Sequence, residues 1–283
     1  MFTVDYVTPD LAALRKEGFV ADMHFHTSHS HDSKTAIVDI IKLARRLGVA
    51  VAVTDHNLIG GALEASRFKG VSIIPAIEIC TSEGKEVIPY FYDAGHLQEF
   101  YERRLAPFLK EKNALRSNRT SISLRELLAM LEEEECVVSL PHPFAPQPRQ
   151  SYRFFSRRHD LAAHVDIVEV FNQLMTRRAN LAALGWAVQL RRGVVGGSDG
   201  HTLKRLGQGV TVTQATSVAE HLDLLAKGAA RIYGAELKAH QRVLGYASTT
   251  VRHKLQNGVA GGLRKGLSFP ARASRRLLRL SRR

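Results

Sequence analysis

Cysteine is nearly absent from this chain of 283 residues, which has only Cys80 and Cys136. One distant pair builds neither a disulfide framework nor a thiolate zinc site, and it suits a reducing compartment. No apolar run approaches the ~18 residues of a membrane span, and the opening MFTVDYVTPD has no apolar segment of the signal-peptide kind. These absences describe a soluble, cytoplasmic protein. Internal repeats and low-complexity tracts are missing as well. One further absence is local. From Gln241 to Arg283 there is no Asp or Glu, while eleven Lys and Arg occur there. Subtracting those eleven from the net charge of +13 leaves about +2 for residues 1–240. The body is nearly neutral, and the basicity belongs to an appendage.

What the chain has in unusual density is histidine. In ADMHFHTSHSHDSKT, four imidazoles (His24, His26, His29, His31) fall within eight positions, flanked by Asp22 and Asp32. If FVADMHFH is a strand, Asp22, His24 and His26 share one face while Met23 and Phe25 take the other. Two imidazoles on one strand face can grip one metal ion. Further β-branched runs follow, among them VAVAVTD, VSIIPAIEI, EVIPYFYD, CVVSLPH, VDIVEVFN, GVVGGSD and GVTVT. Between them lie helical patterns: AIVDIIKLARRLG closing on Gly48, and two capping-box starts at Ser123/Glu126 and Ser217/Glu220. Strands alternating with helices predict a parallel sheet or barrel. With 45% hydrophobic residues, the chain can bury a large core.

Polar residues recur at the strand ends: His24 and His26, Asp55 and His56, Glu78, His142, Asn172, then Asp199 and His201. In a parallel α/β barrel those ends converge on one rim. Neutral imidazoles and carboxylates without thiolate suit Zn, Mn or Fe(II). Eight or nine donors exceed the roughly four of a structural site. They fit a cluster of ions that acidifies water and stabilises displacement at phosphorus. Asp22 and Asp55 are expected to orient ligand imidazoles, with turn capping the other reading of Asp55. Arg149, Arg153, Arg177, Arg178, Lys204 and Arg205 are the candidate cations for phosphate oxygens.

In order and approximate spacing, DMHFHT, AVTDHN, IPAIEI, LPHP, VEVFN and GGSDGH resemble the motifs of the PHP (polymerase and histidinol phosphatase) superfamily, over roughly residues 18–213. The resemblance implies a distorted seven-stranded β/α barrel that holds two or three divalent metal ions (Mn, Zn or Fe) and hydrolyses phosphoesters. It implies that His24, His26 and Asp199 hold a first ion, and that Glu78 bridges to a second, which His142 also binds. His56 and His201 would hold a third, with Asp32 or His31, since the family's acid after HxHTxxS falls one residue late here. His201, Asp199 and Asn172 are the residues expected at the chemistry. A second departure is larger. Many members carry a histidine on the strand after the bridging Glu, and this chain reads GKEVIPYF.

The resulting expectation is a barrel at 1–240 and a basic, partly flexible helical extension at 241–283. The activity expected is hydrolysis of a phosphomonoester of a small phosphorylated metabolite or nucleotide by a metal-activated hydroxide. The alternatives are an exonuclease on short oligonucleotides and a non-catalytic metal-binding interaction module. The segment FPARASRRLLRLSRR fits nucleic acid, an anionic membrane surface that would hold the protein peripherally, or a solvated tail. Beyond residue 240 only Tyr246 and Phe269 could stack on bases.

Overall fold

The first histidine-bearing run forms the strand that its alternation predicts, Phe19–Phe25, but both of its faces are covered: Val20 to Phe25 are all buried. In the computed structural model, which describes residues 2–109, 119–146, 149–238 and 241, eleven strands are present. They are β1 (Thr3–Asp5), β2 (Phe19–Phe25), β3 (Ala50–Val53), β4 (Ile73–Pro75), β5 (Ile79–Cys80), β6 (Glu86–Phe91), β7 (Cys136–Leu140), β8 (Ile167–Asn172), β9 (Gly193–Gly197), β10 (Gly209–Thr213) and β11 (Arg231–Gly234).

The mixed α/β class expected from the sequence is present. The strands nonetheless pair as two sheets, in the orders β1-β11-β10-β2-β3-β4 and β5-β6-β7-β8-β9, and no continuous ladder closes a seven-stranded ring among the described residues. The two sheets meet through single bridges, Phe25 with Gly200, His56 with Glu78 and Ala76 with Tyr90. The Tyr90 hydroxyl also donates to the Met23 carbonyl at 2.9 Å. The parallel expectation holds within β2-β3-β4 and β7-β8-β9. β10 and β6 run antiparallel to their neighbours. The direction of β6 matters for the site. The run VSIIPAIEI breaks into β4 and β5, with Glu78 in the gap.

The helix Ile37–Leu47 buries Ile37, Ile40, Ile41 and Ala44, the i, i+3, i+4, i+7 stripe of an amphipathic helix, and ends on Gly48 at φ 64°. Ser123 and Glu126 form the full reciprocal capping box. Ser217 caps Glu220 N–H, but the Glu220 carboxylate turns instead to the Thr216 N–H and hydroxyl, so the second box is half made. One continuous core, including Phe25, Tyr90, Phe91, Phe100, Phe155 and Phe171, lies between the sheets and the helices over them. Each such ring contributes about 1.5–3 kcal/mol by leaving water. Both cysteines are free. No helix among the described residues is long and apolar enough to cross a membrane. The expected extension at 241–283 lies outside the described residues apart from Gln241.

Candidate metal centre

Every anticipated ligand except His31 and Asp32, which share the loop after β2, follows a strand or sits in the last part of one. His24 and His26 close β2, His56 follows β3, Glu78 lies between β4 and β5, His142 follows β7, and Asp199 and His201 follow β9. Asn172 ends β8. The sheets therefore bring together residues as far apart in sequence as His24 and His201. Two of these residues hold left-handed backbone, His142 at φ 27° and Asp199 at φ 48°. For non-glycine residues such strain costs about 1–3 kcal/mol and collects at functional sites.

The donor atoms converge. His24 Nε2 stands 3.1 Å from His26 Nε2. Asp199 Oδ1 lies 3.6 and 3.4 Å from these two nitrogens, and Glu78 Oε2 lies 3.6 and 3.5 Å from them. Glu78 reaches the other way too, with Oε2 2.9 Å from His56 Nδ1 and Oε1 3.1 Å from His142 Nε2. Asp32 Oδ2 is 2.9 Å from His201 Nε2 and 3.3 Å from His56 Nε2. Asp32 thus joins one of the clusters, with His26, His56 and His201. The His31 ring packs on the His56 ring at 5.2 Å between centroids and joins none of the clusters.

Tautomers give these distances their meaning. His24 Nδ1 donates to Glu169 Oε1 at 3.0 Å, which leaves a lone pair on Nε2 facing the Nε2 of His26. His201 Nδ1 donates to the Asp199 carbonyl at 2.9 Å, so its Nε2 lone pair faces the Asp32 carboxylate. Acceptors aimed at acceptors need a cation between them, either a proton or a metal. Bond lengths of ~2.0–2.2 Å to one ion bring neighbouring ligand atoms to about 3 Å from each other. His26 Nδ1, His56 Nδ1, His142 Nδ1, Glu78 Oε2 and Asp199 Oδ1 are buried with no hydrogen-bond partner. Each such orphan costs about 1–3 kcal/mol. The donor set fits divalent metal ions.

The electrostatics agree. Burial opposes charge on His24, yet Asp199, Glu169 and Glu78 carry its pKa well above the usual imidazole value. Burial would raise Glu78, and His56 and His24 instead hold it well below the carboxylate range. His26, equally buried and beside His201 and His56, is pushed down to about 3, so it stays a neutral donor.

Several supporting roles differ from expectation. Asp22 orients no imidazole. Fully buried, it accepts backbone N–H groups of Ser198 at 2.9 Å, Gly207 at 3.0 Å and His24 at 3.4 Å, tying β2 to the loop that carries Asp199. Burial raises its pKa to about 6 despite those bonds. Asp55 caps a turn, taking the N–H and the hydroxyl of Thr27 at 2.6 Å each. The residue that orients His24 is Glu169, and its second oxygen takes the His142 N–H at 2.7 Å. Asn172 is fully buried and holds Glu169 and Asp199 through Nδ2, at 3.0 and 3.2 Å, so it fixes ligands rather than facing open space. Gly197 lets β9 approach β2: a Cβ there would meet His24 N at 2.6 Å.

Sequence reasoning missed Glu86, Glu169 and the placement of Arg149. Glu86 begins β6, with Oε2 3.6 Å from His142 Nε2 and Oε1 4.0 Å from His56 Nδ1, and Arg149 Nε donates to its Oε2 at 2.8 Å. Its signal was a carboxylate opening an otherwise apolar strand. Of the other anticipated cations, Arg177 pairs with Glu236 and stacks on Tyr6, Arg205 reaches Gln173, and Arg153, Arg178 and Lys204 are exposed. A cavity of about 570 Å³ at the opposite strand ends, between Gly18, Val49 and Ser72, is lined by none of the anticipated residues.

Comparison with known proteins bears on the fold and the family. The family model described as PHP-associated matches residues 177–229, which include Asp199 and His201. An uncharacterized protein of Methanocaldococcus jannaschii is 30% identical over 166 residues, covering 54% of this chain and 81% of its own. In fold, the chain is similar to the lesion-specific endonuclease EndoQ of Pyrococcus furiosus, with a TM-score of 0.57 at 18% identity over 76% of this chain and 57% of that one. It is also similar to a two-domain Bacteroides vulgatus protein containing a predicted PHP-like metal-dependent phosphoesterase, with a TM-score of 0.51 at 15% identity over 87% and 73%. Motif order, matched segment and fold lead to one conclusion: the chain belongs to the PHP superfamily.

Proposed function

We propose that the chain is a metal-dependent phosphoesterase that hydrolyses a phosphomonoester of a small phosphorylated metabolite or nucleotide. The observation that carries this reading is the set of buried acceptor atoms turned on one another across Glu78. A scaffold gains nothing from that arrangement, which weighs against a non-catalytic module. Two or three divalent ions held by His24, His26, Asp199, Glu78, His142, His56, Asp32 and His201 would supply an acidified water and positive charge for the phosphoryl oxygens. Manganese, zinc and iron all suit these donors.

The protein's own groups do the rest. Glu169 and Asn172 keep His24 and Asp199 aimed. Arg149, a third exposed and bonded to Glu86, offers a guanidinium to the substrate phosphate. His201 is the partly exposed histidine of the cluster, with 11% of its side chain accessible. Burial opposes its charge, and Asp32 together with Asp199 raises its pKa. When two ions are bound, Nε2–H of His201 is placed to protonate the leaving alkoxide. Residues 1–240 form the catalytic unit in this reading. The basic segment 241–283 is an appendage for an anionic partner, and the setting is the cytoplasm.

A diester reading draws support from the fold likeness to a lesion-specific endonuclease. The test is Mn-supplemented turnover of an aryl phosphate against its bis-aryl diester, with Glu78→Ala as control. Monoester turnover lost in the variant supports the phosphatase, diester preference favours the nuclease, and no turnover of either sinks both.

A further inference from the structure

The four clusters of convergent donors among the described residues are not alike. Three of them have an imidazole majority: His26–Asp32–His56–His201, His24–His26–Glu78 and His24–His142–Asp199. The fourth, His56–Glu78–Glu86, has two carboxylates and one imidazole. Glu86 creates that difference. It occupies the start of β6, the strand on which many members of the resembled family carry a histidine and this chain has none, and it is buried.

The bland account of Glu86 is an ion pair with Arg149, whose Nε takes Oε2 at 2.8 Å. That account leaves Oε1 unexplained. Oε1 is turned to His56 Nδ1, which is itself buried and without a hydrogen-bond partner, as is Glu78 Oε2, 2.9 Å from that same nitrogen. Three potential metal donors thus face one another within reach of one ion, and the His56 imidazole alone could bring a proton among them.

We propose that Glu86 replaces the missing strand histidine and makes the position bounded by His56, Glu78 and Glu86 an oxygen-rich site. This site selects a hard divalent ion of the manganese class, whereas the imidazole-rich remainder takes zinc or iron. Carboxylate oxygens suit manganese and magnesium, and imidazole suits zinc and iron. Arg149 holds Oε2, fixes the Glu86 side chain and offsets part of the charge of two adjacent carboxylates. The centre is therefore built for two kinds of ion. The inference rests on the metal-centre reading above and refines it.

The test uses the full chain, stripped with chelator, dialysed against equal Mn²⁺ and Zn²⁺, desalted, and measured by elemental analysis and by the Mn²⁺ EPR signal. The wild type should retain both metals, with about one Mn²⁺ per chain. Glu86→His should exchange that manganese for zinc, lowering the Mn:Zn ratio by roughly tenfold or more. Glu86→Gln should lose the manganese and keep the zinc. Glu86→Asp, which retains the carboxylate, should keep manganese with weaker retention, and near-UV circular dichroism checks that each variant is folded. A Mn:Zn ratio unchanged in folded Glu86→His and Glu86→Gln overturns the proposal and leaves Glu86 as the partner of Arg149 alone. A wild type that takes up zinc but no manganese also overturns it, while the metal centre stands. A wild type that takes up neither metal brings down the metal-centre reading itself.

Discussion

His24 and His221 are both fully buried histidines, and their surroundings drive them in opposite directions. His221, on the helix Val218–Ala226, has the Thr213 hydroxyl at 2.7 Å from Nδ1 and no carboxylate among the partners that shift it. Burial alone pushes its pKa down to about 3. His24 meets the same burial penalty, but Asp199, Glu169 and Glu78 reverse it. His221 also keeps one unpartnered ring nitrogen, Nε2, so a core histidine and a candidate ligand differ less in burial than in the carboxylates that face the ring. The metal centre concentrates negative charge and unpaired acceptors, so it calls for cations. The His221 pocket calls for none.

The sharpest way to break this comparison is to remove the carboxylate at its middle. Glu78→Ala should abolish hydrolysis, with at least roughly a 100-fold loss, and should reduce bound metal, read by turnover and elemental analysis. Retained activity would erase the distinction between the two regions. Supporting residues come next. Asn172→Ala and Glu169→Gln should each cost about 10- to 100-fold in metal affinity, measured by chelator competition. The next comparison is between Asp32 and His31. Asp32→Asn should weaken metal retention, and His31→Ala should stay within a few-fold of wild type, because His31 joins none of the clusters. Equal losses in both would return the choice to the loop.

The smallest effect belongs to the control region and concerns pH. The folded pKa of His221 lies below its ordinary 6.5, so the unfolded chain takes up a proton that the folded chain refuses. Stability is then intact above about pH 6.5 and lost as pH falls toward the folded value near 3. His221→Gln should flatten this acid-side loss of Tm and leave hydrolysis at neutral pH unchanged. A slope as steep as wild type would mean that other groups carry the acid sensitivity.

The sequence revealed the convergent donors better than it revealed the sheets. His24, His26, His56, Glu78, His142, Asp199 and His201 were legible because they follow apolar strands, and a strand end is visible in a hydropathy pattern. Glu86 was hidden because β6 runs antiparallel to β7, which puts its first residue, not its last, beside His142. Strand direction leaves no mark in alternation. Glu169 lies within β8, where a lone carboxylate has no spacing that separates orienting a ligand from pairing across a sheet. Asp22 misled because a shared strand face with His24 and His26 suggested an imidazole partner, while the glycine-bearing loops around Ser198 and Gly207 supply its N–H donors. Short β1 and β11 offered too few residues to show a period, and they extend the first sheet beyond the expected ring.

The central claim is that the acceptors around Glu78 face one another because divalent ions belong between them. Calorimetric titration of the chelator-stripped protein with Mn²⁺ or Zn²⁺, in two buffers of different protonation enthalpy, tests it most directly. The account expects uptake of two or three ions, with proton release that grows as pH falls, because His24 and His56 carry protons until ions displace them. Uptake that disappears in Glu78→Ala and persists in His221→Gln would place the ions at this centre. A titration without uptake in the wild type would contradict the account.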